Sequence, residues 1–152
     1  MDEAERIVEE IKRELVPRRN AFFEGIRKGC SSSWLALLAY QDAICEEARM
    51  EREIMDRILE KYGWKPWIPA SEDERMLYEC MSFYEAVSGV NQTVGIYVKG
   101  GRYLLLIEYL RIENLRAKIV DEEEFRSMLE RWRPTLEEDM RKGRADYLRT
   151  QK

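Results

Sequence analysis

The chain has 152 residues, enough for one domain with a single core, and it combines 45% hydrophobic with 37% charged residues. That balance describes a folded globule and excludes a disordered segment. Net charge is −4 and histidine is absent, so no global basic field draws the chain to nucleic acid or anionic lipid, and every imidazole-dependent site is excluded, from Ser-His-Asp and Cys-His catalysis to HExxH zinc centres and the ExxH pairs of di-iron bundles.

Ala4, Ile7, Val8, Ile11 and Leu15 recur at helical spacing, with Asp2, Glu3 and Glu5 in the first turn, where the helix dipole favours acids. This acidic opening enters a helix directly and shows neither a signal peptide nor a myristoylation pattern, so a cytoplasmic location is the default expectation. Pro17 is expected to end the first helix, and Phe22, Phe23 and Ile26 mark a shorter one over 18–28. Gly29 and Ser31–Ser33 then supply a break with N-cap chemistry.

The longest predicted helix runs from Ser33 to about Tyr62, about 44 Å at 1.5 Å per residue. Its seam is Leu37, Tyr40, Ile44, Ala48, Met55, Ile58 and Tyr62. Trp34–Tyr40 is almost wholly apolar, so its first turns should be buried all round, and the amphipathic half beyond Asp42 should lie on the surface. A rod this long also exceeds what a small domain easily covers, which leaves part of its stripe for a second copy or another subunit. Neither this stretch nor Tyr103–Ile107 is long enough to span a bilayer.

Gly63–Ala70 is a Pro-containing connection holding Trp64, Trp67 and Ile68. Large apolar side chains cost roughly 1.5–3 kcal/mol each when left in water. The loop therefore either plugs the end of the core or presents an anchor to a protein partner, and Trp64, Trp67 and Ile68 are the candidate partner-binding residues. Its PxxP spacing, Pro66 to Pro69, is too confined between helices for a polyproline ligand. Ser71 with Glu74 is a capping box opening a helix with the stripe Met76, Leu77, Cys80, Met81, Tyr84 and Val87, closed by Ser88-Gly89. Asp121 with Glu124 and Thr135 with Glu138 repeat the capping signature before Phe125/Met128/Leu129/Trp132 and Leu136/Met140/Tyr147.

Between them, Thr93–Val98 is β-branched and aromatic, Gly100-Gly101 reads as a two-residue hairpin turn, and Tyr103–Tyr109 continues in strand-compatible residues. A third strand over Leu115–Val120 would need a tight Glu113-Asn114 turn that sets Arg111 against Arg116, a like-charge pair. The rival is a helix over Arg102–Ile119, built from good helix formers, which would make the chain all-α. The expected fold is thus α+β and predominantly α: one domain, residues 1–152, a bundle of five to six helices with a small antiparallel hairpin or meander near 93–120.

Catalytic chemistry has little material. There is no P-loop and no GxGxxG. A carboxylate Mg²⁺ site, as all-α phosphohydrolases build from an EExxE helix and a facing ExxD helix, fails on spacing. Glu9-Glu10 and Glu46-Glu47 lack the third acid in register, and Glu53 with Asp56 sits on the same helix as Glu46-Glu47. These acids read as a salt-bridged face, and a Mg²⁺-dependent phosphohydrolase is the weakest alternative. Of Cys30, Cys45 and Cys80, the last two fall on apolar helix faces, and Cys30 follows Arg27 and Lys28 at a break; packing accounts for all three without metal or cofactor. Arginine outnumbers lysine 18 to 8, a mild thermophile signature that seven Met and three Cys weaken.

What remains is binding. Residues 94–120 are net positive while the flanking segments are net negative, and Lys99, Arg102, Arg111, Arg116 and Lys118 stand among Tyr97, Tyr103 and Tyr109. Such a hairpin suits nucleic acid through phosphate neutralisation and base stacking, or simply guards a strand edge. A C-terminal cluster, Arg141, Lys142, Arg144, Arg149 and Lys152, complements the negative end of the last helix, and Arg18-Arg19 with Arg27-Lys28 would add to a basic surface only if the fold gathers them. The leading expectation is a non-catalytic protein–protein interaction or assembly subunit without cofactor, self-associating or joined to a protein partner. The alternative is a nucleic-acid-binding accessory protein using the hairpin.

Overall fold

A computed structural model describes the backbone of residues 1–29 and 34–150 and the side chains of 1–28, 40–143 and 150. In chain order the elements are α1 (Glu3–Gly29), α2 (Trp34–Lys61), β1 (Lys65–Pro66), α3 (Glu72–Ser88), β2 (Asn91–Lys99), β3 (Arg102–Tyr109), β4 (Arg111–Asp121), α4 (Glu122–Glu130) and α5 (Arg133–Thr150). The strands form one antiparallel sheet in the order β1-β2-β3-β4. The class is α+β and mainly helical. The expected bundle and the all-α alternative are both corrected: the helices pack against the two faces of a sheet.

Two apolar clusters result. On one face, Ile7, Ile11 and Leu15 of α1 and Met55, Ile58 and Leu59 of α2 pack on Tyr97, Leu104, Leu106, Ile112 and Leu115. On the other, Leu77 and Met81 of α3 and Phe125 and Leu129 of α4 pack on Ile96, Leu105 and Val120. Leu104, Leu105 and Leu106 are all buried because β3 is central and covered on both sides. Such a run lacks period-two alternation, which is why a helix over 102–119 competed for it.

Gly100 and Gly101 both take positive φ (55° and 77°) and connect Lys99 to Arg102, the geometry of a two-residue hairpin turn. The next turn is not at Glu113-Asn114. It lies at Leu110, where Tyr109 pairs with Arg111, and Arg116 stands opposite Ile107, so the feared Arg111–Arg116 pair never forms. A register shift between Ile107 and Tyr109 absorbs the extra residues of β4, and the Asn114 amide donates to the Tyr109 carbonyl at 3.1 Å.

Other boundaries differ. Pro17 lies inside α1, so residues 3–29 form one helix. Proline removes the N–H that would bond the Arg13 carbonyl, yet ion pairs of the second half hold it in place: Arg18 to Glu47 of α2, and Arg19 to Glu51 of α2 and Glu108 of β3. Ser71 and Asp121 cap α3 and α4 by accepting from the backbone N–H of Glu74 and Glu124, and Gly89 closes α3 at φ 69°. Thr135 lies within α5, which begins two residues earlier, where the Leu136 N–H bonds the Trp132 carbonyl. Cys80 is buried, whereas Cys45 and Ile44 are exposed, so among the described residues of the α2 seam Met55 and Ile58 are the buried ones. Cys30, the serine run and the side chains of 34–39 lie outside the described residues. Among the described residues no helix is long and apolar enough to cross a membrane.

The 63–70 connection contains an edge strand. Lys65 and Pro66 pair with Val98 and Tyr97, and the Trp67 N–H donates to the Ile96 carbonyl at 2.9 Å. Trp64 enters one core and Trp67 packs edge-on to Tyr78 and Phe125 beside the other, so this short segment fastens both layers to the sheet.

Candidate binding groove

Register places the cations of β4. Arg116 pairs with Ile107 and Lys118 with Leu105. Opposed residues on neighbouring strands project to the same side, so both cations stand on the α3/α4 face. There the helices leave part of the sheet open. The result is a groove of about 540 Å³ whose floor is Leu105 and Ile107 and whose walls include Met128 and Trp132. That size lies within the usual range for ligand sites. Trp132 is held by stacking on Tyr84, with ring centroids 5.7 Å apart, and the Tyr84 hydroxyl donates to Asp139 at 2.5 Å. That donated bond, with burial, raises the Tyr84 phenol above its ordinary range.

Arg131, just beyond α4, joins Arg116 and Lys118 on the same groove. Among the described residues none of the three has an ion-pair partner; the Arg116 guanidinium donates only to the Asn91 side-chain oxygen, at 3.4 Å. Glu85 is the carboxylate of the groove, and it is already engaged: it accepts from the Thr93 N–H at 2.7 Å and the Thr93 hydroxyl at 3.2 Å. Elsewhere the cations are mostly neutralised locally. Arg18 and Arg19 bind Glu47 and Glu51, Arg27 and Lys28 share Glu24, Arg49 bridges Glu46 and Glu53, and Arg141 and Lys142 share Glu138. The groove therefore combines uncompensated positive charge with an apolar floor.

The residues expected to bind are scattered. Trp64 is fully buried; its indole N–H donates to Glu3 at 3.3 Å and the Lys99 ammonium sits 5.6 Å over its ring. It is therefore removed from any contact surface. Trp67 is half-buried, and Ile68 alone of that trio is well exposed, at 79%. Lys99 is held by Glu3 at 3.2 Å and by the Tyr62 carbonyl at 2.7 Å, with Arg102 across the same turn. Arg111 stands at the opposite end of β3–β4, beside Tyr109. The five hairpin cations thus occupy three places, and only Arg116 and Lys118 share the groove. Sequence reading missed Arg131 and Asn91, which no local pattern marks and only strand register brings to Arg116.

The acids considered for Mg²⁺ have other partners: Glu10 binds Lys61 and Tyr62, Glu47 binds Arg18, and Asp56 accepts from Tyr97 at 2.6 Å. Donation from Lys61 holds the Glu10 carboxyl below its ordinary value. Among the described residues no group of three or more His, Cys, Asp or Glu is placed to hold a metal ion. Comparison with protein-family models, curated proteins and solved structures returns no match.

Proposed function

We propose that this chain is a non-catalytic interaction protein, a subunit that assembles with a protein partner through acidic side chains received in the Arg116–Lys118–Arg131 groove. The observation that carries this reading is three cations gathered on one groove over an apolar floor without ion-pair partners among the described residues, where most other described cations are paired. Apolar floor and charged rim are the composition of a protein contact, where the floor is desolvated and the charges set partner choice. Nucleic acid is the poorer fit, because the hairpin cations are dispersed and net charge −4 opposes a long polyanion. Exposed Ile68 offers a separate apolar contact.

The test is fluorescence anisotropy with a labelled peptide of alternating glutamate and valine, its lysine–valine counterpart, and a single-stranded oligonucleotide. The expected outcome is binding of the acidic peptide alone, weakened about tenfold or more by Arg116→Glu with Lys118→Glu, since truncating or reversing interfacial charges costs on the order of kcal/mol each. Binding insensitive to these reversals removes the groove. Preferential binding of the oligonucleotide transfers the function to nucleic acid.

A further inference from the structure

We infer that the partner docks by strand addition: an extended acidic segment becomes a fifth strand on the open edge of β4. This rests on the groove reading above and specifies how the groove is filled. β4 is the terminal strand of the sheet and spans 11 residues. Among the described residues, its only backbone partners are those of β3, so the N–H and C=O groups of its outer edge face no other main chain. Such an edge is a ready template for another strand.

A concavity lies on each side of that edge. On the α1 face, one of about 420 Å³ is lined by Ala4 and Val8 of α1 with Leu115 and Ala117 of β4. On the α4 face, one of about 320 Å³ is lined by Lys118 and Val120 of β4 with Glu123, Glu124, Met128 and Arg131. Successive side chains of a strand point to opposite faces, so an added strand would place alternate residues in each concavity. The two differ in charge. Arg116, Lys118 and Arg131 stand against Glu123 and Glu124 on the α4 side, whereas Asp2, Glu5 and Glu9 outnumber Lys12 on the α1 side beside small apolar residues. The fitting segment therefore alternates acidic with small apolar residues, acids toward Arg116 and Lys118. A one-residue slip would turn those acids toward Glu5 and Glu9, which fixes the register.

A second copy is a poorer occupant. Antiparallel pairing of two β4 strands about Ala117 sets Arg116 of one directly opposite Lys118 of the other, and opposed like charges destabilise a ladder. The same cations that admit an acidic strand thus reject self-pairing.

The experiment uses the full chain and a labelled heptapeptide of alternating valine and glutamate, with two analogues N-methylated on all valines or on all glutamates. An added edge strand bonds through only one of its two alternating sets of amides. One analogue should therefore lose about tenfold or more in affinity while the other stays near the parent, and amide hydrogen exchange over residues 113–121 should slow on binding. If both analogues bind like the parent and exchange over β4 is unchanged, strand addition is overturned while the groove reading stands. If no acidic peptide binds at all, both are overturned.

Discussion

Replacing Arg19 by methionine tests what holds the α1–α2 layer to the sheet. Arg19 Nη2 and Nε donate to Glu51 Oε1 at 2.6 and 3.2 Å, and Nη1 donates to Glu108. Glu51, only 7% exposed, is the buried charged residue among those described. Burial pushes the Arg19 guanidinium down, and donation to Glu51 with the charges of Glu108 and Glu51 more than restores it, leaving it raised. Methionine keeps the aliphatic packing but strands two carboxylates. Breaking a buried pair costs about 3–5 kcal/mol, and because 24% of the Arg19 side chain meets solvent the expected loss is about 2–3 kcal/mol. With a urea slope of about 2 kcal/mol/M, the unfolding midpoint should fall by about 1–1.5 M. Arg18→Met is the control: its pair with Glu47, at 2.5 Å, is 33% exposed on the arginine side, and its loss should lower the midpoint less than Arg19→Met does. Adding Glu51→Leu to Arg19→Met should recover about 1 kcal/mol or more, because the stranded buried carboxylate is then gone. A midpoint for Arg19→Met within about 0.2 M of the parent, or a cycle with no coupling, would refute the reasoning.

Two further outcomes are expected. Tyr97 is fully buried and donates to Asp56, and burial first, then that bond, raises its phenol above the ordinary value of 10.0. The neutral phenol is therefore the form the fold favours: its contribution is complete below pH 10 and is lost as pH rises through the higher folded value. Tyr97→Phe should cost about 1–2 kcal/mol at neutral pH yet flatten the alkaline fall in stability, read by urea unfolding on either side of pH 10; equal alkaline slopes would contradict it. Leu110 holds a left-handed φ of 65° with its side chain 63% exposed. Leu110→Gly should raise stability by about 0.5–1 kcal/mol, less than the strain removed because glycine loses more entropy on folding; a loss in thermal unfolding would mean the exposed side chain packs more than it strains.

How much of this was legible in the sequence depends on the range of the interactions involved. The caps at Ser71 and Asp121, the Gly100-Gly101 turn and the stop at Gly89 are contained within a few residues, and each stands where the spacing put it. Pro17 misled because the local penalty is offset by Glu47, Glu51 and Glu108, which are distant in sequence. The 63–70 loop left core plug and exposed anchor both open because nothing local shows that Lys65 and Pro66 pair with β2, which draws the Trp64 indole into one core and Trp67 beside the other.

The groove was harder still, because charge counting along a segment carries no information about faces. Lys99, Arg102, Arg111, Arg116 and Lys118 are contiguous enough to look like one basic surface, yet their sides are set by strand phase. Within β4 the phase changes: Ile112 and Leu115 are both buried in the same cluster although three residues apart, because the register shift inserts unpaired residues between them. After the shift Leu115 and Ala117 face α1, so Arg116 and Lys118 must face α4, where Arg131 meets them. Had β4 run without the bulge, keeping Ile112 in its core would have turned Arg116 and Lys118 inward with it and cost the burial of two cations. The irregularity that hid the site from a periodicity reading is the feature that builds it: by changing phase once, β4 buries Ile112 and Leu115 and still leaves its cations on the open face.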